Sequence, residues 1–233
     1  MVKEGYWYGL PLVLIGGGLI GLGLYVPGAL FVLLALLVLN FFRDPERSIA
    51  AEPGAIVSPA DGKVVQIVVE SHDEQPVRRV SIFMSALDVH VNRSPIEGVI
   101  RDVSYQKGAF HVASQPRASV ENEQNVFTVE GEQGTLVVRQ IAGALARRIV
   151  FWKRPGDRLM RGERVGLIKF GSRVDVLLDP EVELRVKVGD HIRAGSDVLG
   201  TTQPKTCFES RSIYFFRKNL VKHFTSASIN YMR

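Results

Sequence analysis

The pattern of apolar and charged positions changes once, near residue 43. From Gly5 to Phe42 the run "GYWYGLPLVLIGGGLIGLGLYVPGALFVLLALLVLNFF" holds no charged residue, and beyond Arg43 charges are dense. As one straight helix this block would reach roughly 57 Å, nearly twice the ~30 Å hydrocarbon core of a bilayer. Pro27-Gly28 near its middle is a natural turn. The pattern therefore predicts two helices, about residues 7–25 and 28–42, folded back as a transmembrane or membrane-embedded hairpin. Tyr6, Trp7 and Tyr8 fall where aromatic side chains meet a membrane interface. A cleaved signal peptide fits poorly, because the block is too long and "NFFRDPER" offers no small-residue cleavage site.

After a Pro-rich linker, "FFRDPERSIAAEPGAIVSP", the periodicity becomes that of strands. "GKVVQIVVE", "RRVSIFMSALDVHV", "EGVIRDVSY", "NVFTVEG", "GTLVVRQIAG", "RRIVFWK" and "RVGLIKF" are short β-rich runs separated by Gly, Pro, Asp and Asn. "SQPRASVENEQN" reads as a polar loop or short helix. The predicted fold is mainly β, in antiparallel sheets with little helix outside the N-terminal hairpin. "GDRLMRGERVG" from Gly156 is echoed by "GDHIRAGSDVLG" from Gly189, 33 residues later. Each is a Gly-Asp turn, a second Gly turn and a short apolar strand. Together with "PGAIVSPADGKVVQI" they look like the hairpins of lipoyl- and biotinyl-type domains, a structural feature first. The organisation predicted is a membrane-anchoring hairpin at 1–43, a β-rich domain at 44–203 and a basic extension at 204–233, a disordered or membrane-surface tail.

Charge refines this picture. The net charge of +5 suits a domain resting on an anionic leaflet. Lys3 before the hairpin, and Arg43 and Arg47 after it, place the β-rich part on the cytoplasmic face of the inner membrane by the positive-inside rule. No recognised motif or basic helix supports nucleic-acid binding. The single cysteine, Cys207, excludes an intrachain disulfide framework and a cysteine metal cluster.

The chemistry starts at "IKFGSRVDVLL", where Gly171-Ser172 interrupts two apolar runs. A glycine inside a strand pattern marks a bulge or close backbone approach. It also leaves its carbonyl unshielded and tolerates unusual backbone angles. A serine hydroxyl can then attack the preceding carbonyl to form an ester. Elimination gives dehydroalanine, which hydrolyses to a pyruvoyl group and ammonia. Gly-Ser alone is a weak signal and recurs at Gly195-Ser196.

In fixed order, "FFRDPER", "SPADGKV", "FMSALDVHVNRSP", "ASVENEQN" and "GLIKFGSRVDVLL" accompany it. This combination resembles the phosphatidylserine decarboxylases of the short bacterial and archaeal type, from about Phe41 to Leu199. The resemblance implies self-cleavage between Gly171 and Ser172 into a β chain, 1–171, and an α chain, 172–233, which remain together as a heterodimer. Ser172 becomes the pyruvoyl cofactor, which forms a Schiff base with the serine headgroup of a phospholipid substrate; Gly171 supplies the carbonyl that is cut. Carbon dioxide leaves and phosphatidylethanolamine is released, with no metal. Asp61 of "SPADG" matches the family acid linked to cutting, although Asp-Gly is also a turn signal. His90 of "DVHVNR" matches the histidine near the pyruvoyl group. Longer members carry a second histidine three residues on, where this chain has Arg93. A guanidinium is a poor base, so Arg93 is assigned to substrate phosphate or carboxylate. The expectation is that His90 serves decarboxylation and Asp61 serves cutting. The rival reading is a membrane-anchored lipoyl- or biotinyl-like carrier or adaptor modified at Lys63.

Overall fold

The computed structural model describes residues 1–72, 75–111, 118–144, 148–169 and 171–202. The extension from 204 to 233, with Cys207, lies outside them.

The uncharged block forms helices α1 (Lys3–Gly21) and α2 (Tyr25–Phe41), packed side by side. The turn falls at Leu22–Leu24 rather than at Pro27-Gly28, with Gly23 left-handed at φ +81°. Pro27 instead lies in the first turn of α2. There its missing N–H is one that a helix start leaves unbonded anyway. Gly28 is used for contact: a Cβ on it would come within 2.9 Å of the Gly16 carbonyl oxygen. The legs are about 28 and 25 Å long at 1.5 Å per residue. No helix among the described residues is long and apolar enough to cross a membrane, so the transmembrane form of the expected hairpin is not supported. The reason is local: the turn takes residues from the middle of the block, and Glu4 and three aromatic residues occupy the start of α1.

The remaining elements are β1 (Ala55–Val57), β2 (Gly62–His72), β3 (Gln75–Met84), β4 (Val91–Arg93), β5 (Gly98–Gln106), the short α3 (Ala118–Glu121), β6 (Gln124–Gly131), β7 (Gly134–Ala142), β8 (Ile149–Phe151), β9 (Arg158–Leu159), β10 (Arg164–Ile168), β11 (Ser172–Leu178), β12 (Glu183–Leu184), β13 (His191–Ile192) and β14 (Val198–Thr201). The protein is mainly β, as its pattern predicts. An antiparallel eight-stranded sheet runs β13-β2-β3-β11-β7-β6-β5-β9, flanked by three-stranded sheets β1-β14-β12 and β4-β10-β8. β11 is interior and buried along its whole length. Val174, Val176 and Leu178 join Val80, Ile82, Phe127 and Val138 in the main core. Each such side chain contributes about 1.5–3 kcal/mol on burial. By the two-residue alternation of a strand, Arg173 and Asp175 take the other face.

The repeat is a repeat of turns. Gly156 and Gly162 in the first copy, and Gly189 and Gly195 in the second, all have positive φ. The side chain of Ile49 sits against both Gly162 and Gly195, so the linker is wedged between the two copies. Charge holds it as well: Asp44 pairs with Arg164 at 2.7 Å and Arg93 at 3.4 Å, and Arg47 pairs with Asp61 at 2.6 Å.

Candidate active site

β10 and β11 are consecutive in the chain but belong to different sheets. Gly171 is where the backbone leaves one for the other, and its φ of +60° is the left-handed conformation that sharp redirection demands. Among the described residues a Cβ on Gly171 would meet nothing within 4 Å, so they leave its flank open. Ser172 then starts β11, opposite Met84 at the end of β3 and Ala142 at the end of β7. Ser172 is fully buried. Its Oγ donates to the Met84 sulfur at 3.3 Å, and a thioether is a weak acceptor. The hydroxyl is therefore shielded from water without being tied to a strong partner.

His90 sits just before β4, in the loop leaving β3. Its carbonyl accepts from the Ile168 amide at 3.3 Å, the last residue of β10. The pairing of β4 with β10 thus brings His90 to the segment that leads into Gly171. The imidazole is buried and packs on Phe41 of the hairpin, ring centroids 4.2 Å apart. Nδ1 lies 2.9 Å from the Asp88 carbonyl oxygen. A carbonyl only accepts, so Nδ1 carries the hydrogen and Nε2 holds the lone pair. Among the described residues Nε2 is buried with no partner. Burial pulls the imidazole down to about 4, against the Asp88 carbonyl and carboxylate, which favour the proton. At neutral pH His90 is an uncharged, unsatisfied acceptor.

Asp61 is placed differently. One oxygen takes the Arg47 guanidinium at 2.6 Å and the other the Ala194 amide at 2.8 Å. Burial pushes its carboxyl up, more than the Ala194 amide and Arg47 pull it down. Neither oxygen hydrogen-bonds Ser172 or His90.

A family model described as phosphatidylserine decarboxylase matches residues 34–200. A protein of Solibacter usitatus is 49% identical over 85% of this chain and 95% of its own length. One from Salinibacter ruber is 51% identical over 70% of this chain and 74% of its own, and one from Geobacter metallireducens 43% identical over 86% and 95%. All three bear the name phosphatidylserine decarboxylase proenzyme. The chain belongs to the phosphatidylserine decarboxylase family.

For this decarboxylase the geometry also explains motif residues that carried no assigned role. Asn122 of "ASVENEQN" donates to the Ala142 carbonyl at 2.7 Å and exchanges two bonds with the His111 backbone, both at 2.8 Å. It anchors the strand end beside Ser172. Asn125 donates to Gln140 at 2.9 Å, Gln140 donates to Asn92 at 2.8 Å, and Asn92 reaches the Met84 sulfur at 3.7 Å. This buried amide row ends on the atom that holds Ser172. The repeated Asn in "DVHVNR" and "ENEQN" was the sequence signal for it.

Arg93 has another occupation. Its guanidinium donates to the Gly162 and Pro45 carbonyls at 2.9 and 3.3 Å and pairs with Asp44. These contacts clamp the linker to the repeat turns, and the expected substrate role of Arg93 finds no support in them. Arg173, which follows Ser172, lies against Asp175 at 2.9 Å on the opposite face of the sheet.

Proposed function

We propose that this chain is a proenzyme that cuts itself between Gly171 and Ser172 and then decarboxylates phosphatidylserine to phosphatidylethanolamine at a membrane surface. The observation that carries the reading is Ser172: a fully buried serine opening an interior strand directly behind a left-handed glycine, in a family whose members are named proenzymes.

In the uncut chain, Ser172 Oγ bonds to the Gly171 carbonyl carbon and the C–N bond between the two residues breaks, leaving an ester. His90 Nε2, a buried lone pair, takes the hydroxyl proton. Elimination frees the Gly171 carboxylate, and one water replaces one ammonia to leave a pyruvoyl group at the start of the α chain. The residues fit such a group: Ser172 is buried, and among the described residues Gly171 leaves open space and His90 Nε2 lacks a partner. When present, the pyruvoyl carbonyl supplies the electron-accepting centre that lets carbon dioxide depart. His90 Nε2 takes the proton that the substrate ammonium must lose and returns it to the carbon that lost its carboxylate, and a positioned proton donor contributes ~10²–10⁴ in rate. The two chains stay together because β11 of the α chain lies between β3 and β7 of the β chain.

The hairpin supports membrane residence. Trp7 is 81% exposed and Leu14 66%, and Leu10, Leu30, Leu33 and Leu37 are exposed beside them. An apolar surface of this kind marks a membrane or protein contact. With Lys3 and Arg43 at its foot, the hairpin embeds in the inner membrane from the cytoplasmic face. The carrier reading has no comparable support: Lys63 lies within β2, paired with Phe83 and His191, rather than at a hairpin tip.

Carbon dioxide release from carboxyl-labelled phosphatidylserine tests the function. Wild-type protein is expected to release label, and Ser172→Ala to stay one chain and release none. An active Ser172→Ala protein contradicts the reading.

A further inference from the structure

The foot of the hairpin is an interface of rings. Tyr8 stacks on Phe42 with centroids 5.7 Å apart and planes 14° from parallel. Phe42 meets Phe41 edge-on at 5.0 Å, and Phe41 meets His90 at 4.2 Å. One row of rings thus runs from the apolar hairpin to the buried imidazole. Over its outer end sits the Lys169 ammonium, 5.1 Å from the Tyr8 ring and 6.0 Å from that of Phe42. Lys169 is two residues ahead of Gly171, and its own amide is fixed on the Arg148 carbonyl at 3.1 Å.

The other cations between the hairpin or linker and the sheets have partners. Arg47 pairs with Asp61, and Arg93 and Arg164 pair with Asp44. Arg43 donates to the Asn40 and Leu87 carbonyls at 2.8 and 2.6 Å. Lys169 is half-buried, and among the described residues its ammonium meets neither a carboxylate nor a carbonyl. Two ring faces favour a cation by only about 0.5–1 kcal/mol each at exposed sites, and they leave its hydrogen-bond donors unused.

We propose that Lys169 receives the phosphodiester of the phospholipid substrate, a specificity-determining contact that rests on the decarboxylase reading above. The substrate is apolar at one end and reacts at the other. Its acyl chains belong against the exposed leucines of the hairpin, and its headgroup must reach Ser172 and the unpartnered Nε2 of His90. The phosphodiester joins these two parts, and Lys169 stands where the apolar surface meets the path to the imidazole. The ammonium donates to the phosphate oxygens while Tyr8 and Phe42 hold its stem in place.

Steady-state kinetics on mature Lys169→Gln and Lys169→Arg protein test this. Two substrates are used: monomeric short-chain phosphatidylserine, which presents no membrane surface, and long-chain phosphatidylserine in phosphatidylcholine vesicles. Fragment yield is measured first, so that failure of cutting is seen separately from failure of binding. Lys169→Gln is expected to cut normally and to raise KM about tenfold or more for both substrates, the scale of a lost charged hydrogen bond. Its kcat should stay within about threefold, and Lys169→Arg should restore most of the affinity. A KM unchanged for the monomeric substrate overturns the proposal, and a rise for vesicles alone assigns Lys169 to the bilayer surface instead. If Lys169→Gln does not cut, Lys169→Arg decides: a wild-type KM that is insensitive to added inorganic phosphate up to high concentration overturns the proposal, and competitive inhibition by phosphate supports it.

Discussion

His90 holds its hydrogen at Nδ1 because the Asp88 carbonyl can only accept, and that leaves one buried lone pair at Nε2. The family motif pointed to His90, but no sequence reports a tautomer, because that depends on a backbone carbonyl two residues away. The expected split of tasks gave cutting to Asp61. The proposed function gives both steps to His90, because the Asp61 oxygens are engaged by Arg47 and Ala194. His90→Ala is therefore expected to remain largely uncut, with fragment formation slowed by ~10²–10⁴. Asp61→Asn should keep cutting measurable while weakening the linker clamp, read as a lower urea midpoint. Fragment yields on a denaturing gel separate the two, and normal cutting by His90→Ala returns the role to another group. Stability follows pH with a definite sign. His90 titrates at about 4 when folded and near 6.5 when unfolded. Between these values the unfolded chain binds the extra proton, so stability is full above ~6.5 and falls as pH drops toward 4. Urea midpoints of wild type and His90→Gln at pH 7.5 and 5 should converge or cross in favour of the variant at the lower pH.

At the scale of elements, the alternation of apolar runs made the strands legible, including β10 and β11 on either side of Gly171. It could not show that these two lie in different sheets, because sheet order is a long-range property of pairing. That difference explains Gly171. Giving it a side chain at φ +60° costs roughly 1–2 kcal/mol, while no described residue would crowd its Cβ. Gly171→Ala is expected to fold and to cut more slowly than wild type, with Gly171→Asn between them, followed as fragment against time. The amide row of Asn125, Gln140 and Asn92 was only half legible: its residues stand in noticed motifs, yet its connectivity needs the β6–β7 register. Gln140→Leu takes the partner from the Asn125 amide N–H and from the Asn92 amide oxygen and should destabilise the protein by about 2–5 kcal/mol, seen in thermal unfolding. The hairpin turn was placed at Pro27-Gly28 because Pro-Gly usually breaks a helix. Pro27 is tolerated in the first turn of α2, and Gly28 serves the contact with Gly16.

Across the whole molecule, the linker is the joint between the hairpin and the candidate site. Phe41 and Phe42 end the hairpin and pack with Val89, Val91 and Leu167 of the β-rich part. Asp44, Arg47 and Ile49 then pin the chain to Arg93, Arg164, Asp61 and the two repeat turns. A Pro-rich composition announced a linker without showing that it is fastened along its length, since each fastening partner lies far away in sequence. Phe41, at the end of the hairpin, covers the His90 imidazole. Phe41→Ala should admit water to the imidazole and move its titration up from about 4 toward the ordinary value, seen as a shifted acid limb in the pH profile of decarboxylation.

Whether the chain makes its own electrophile at Ser172 is decided by intact mass spectrometry of the purified protein. Two fragments are expected without added protease, one ending at Gly171. The other, starting at position 172, should carry a blocked N-terminus from which the serine nitrogen has been lost. A fully active preparation consisting of one uncut chain would contradict self-cleavage.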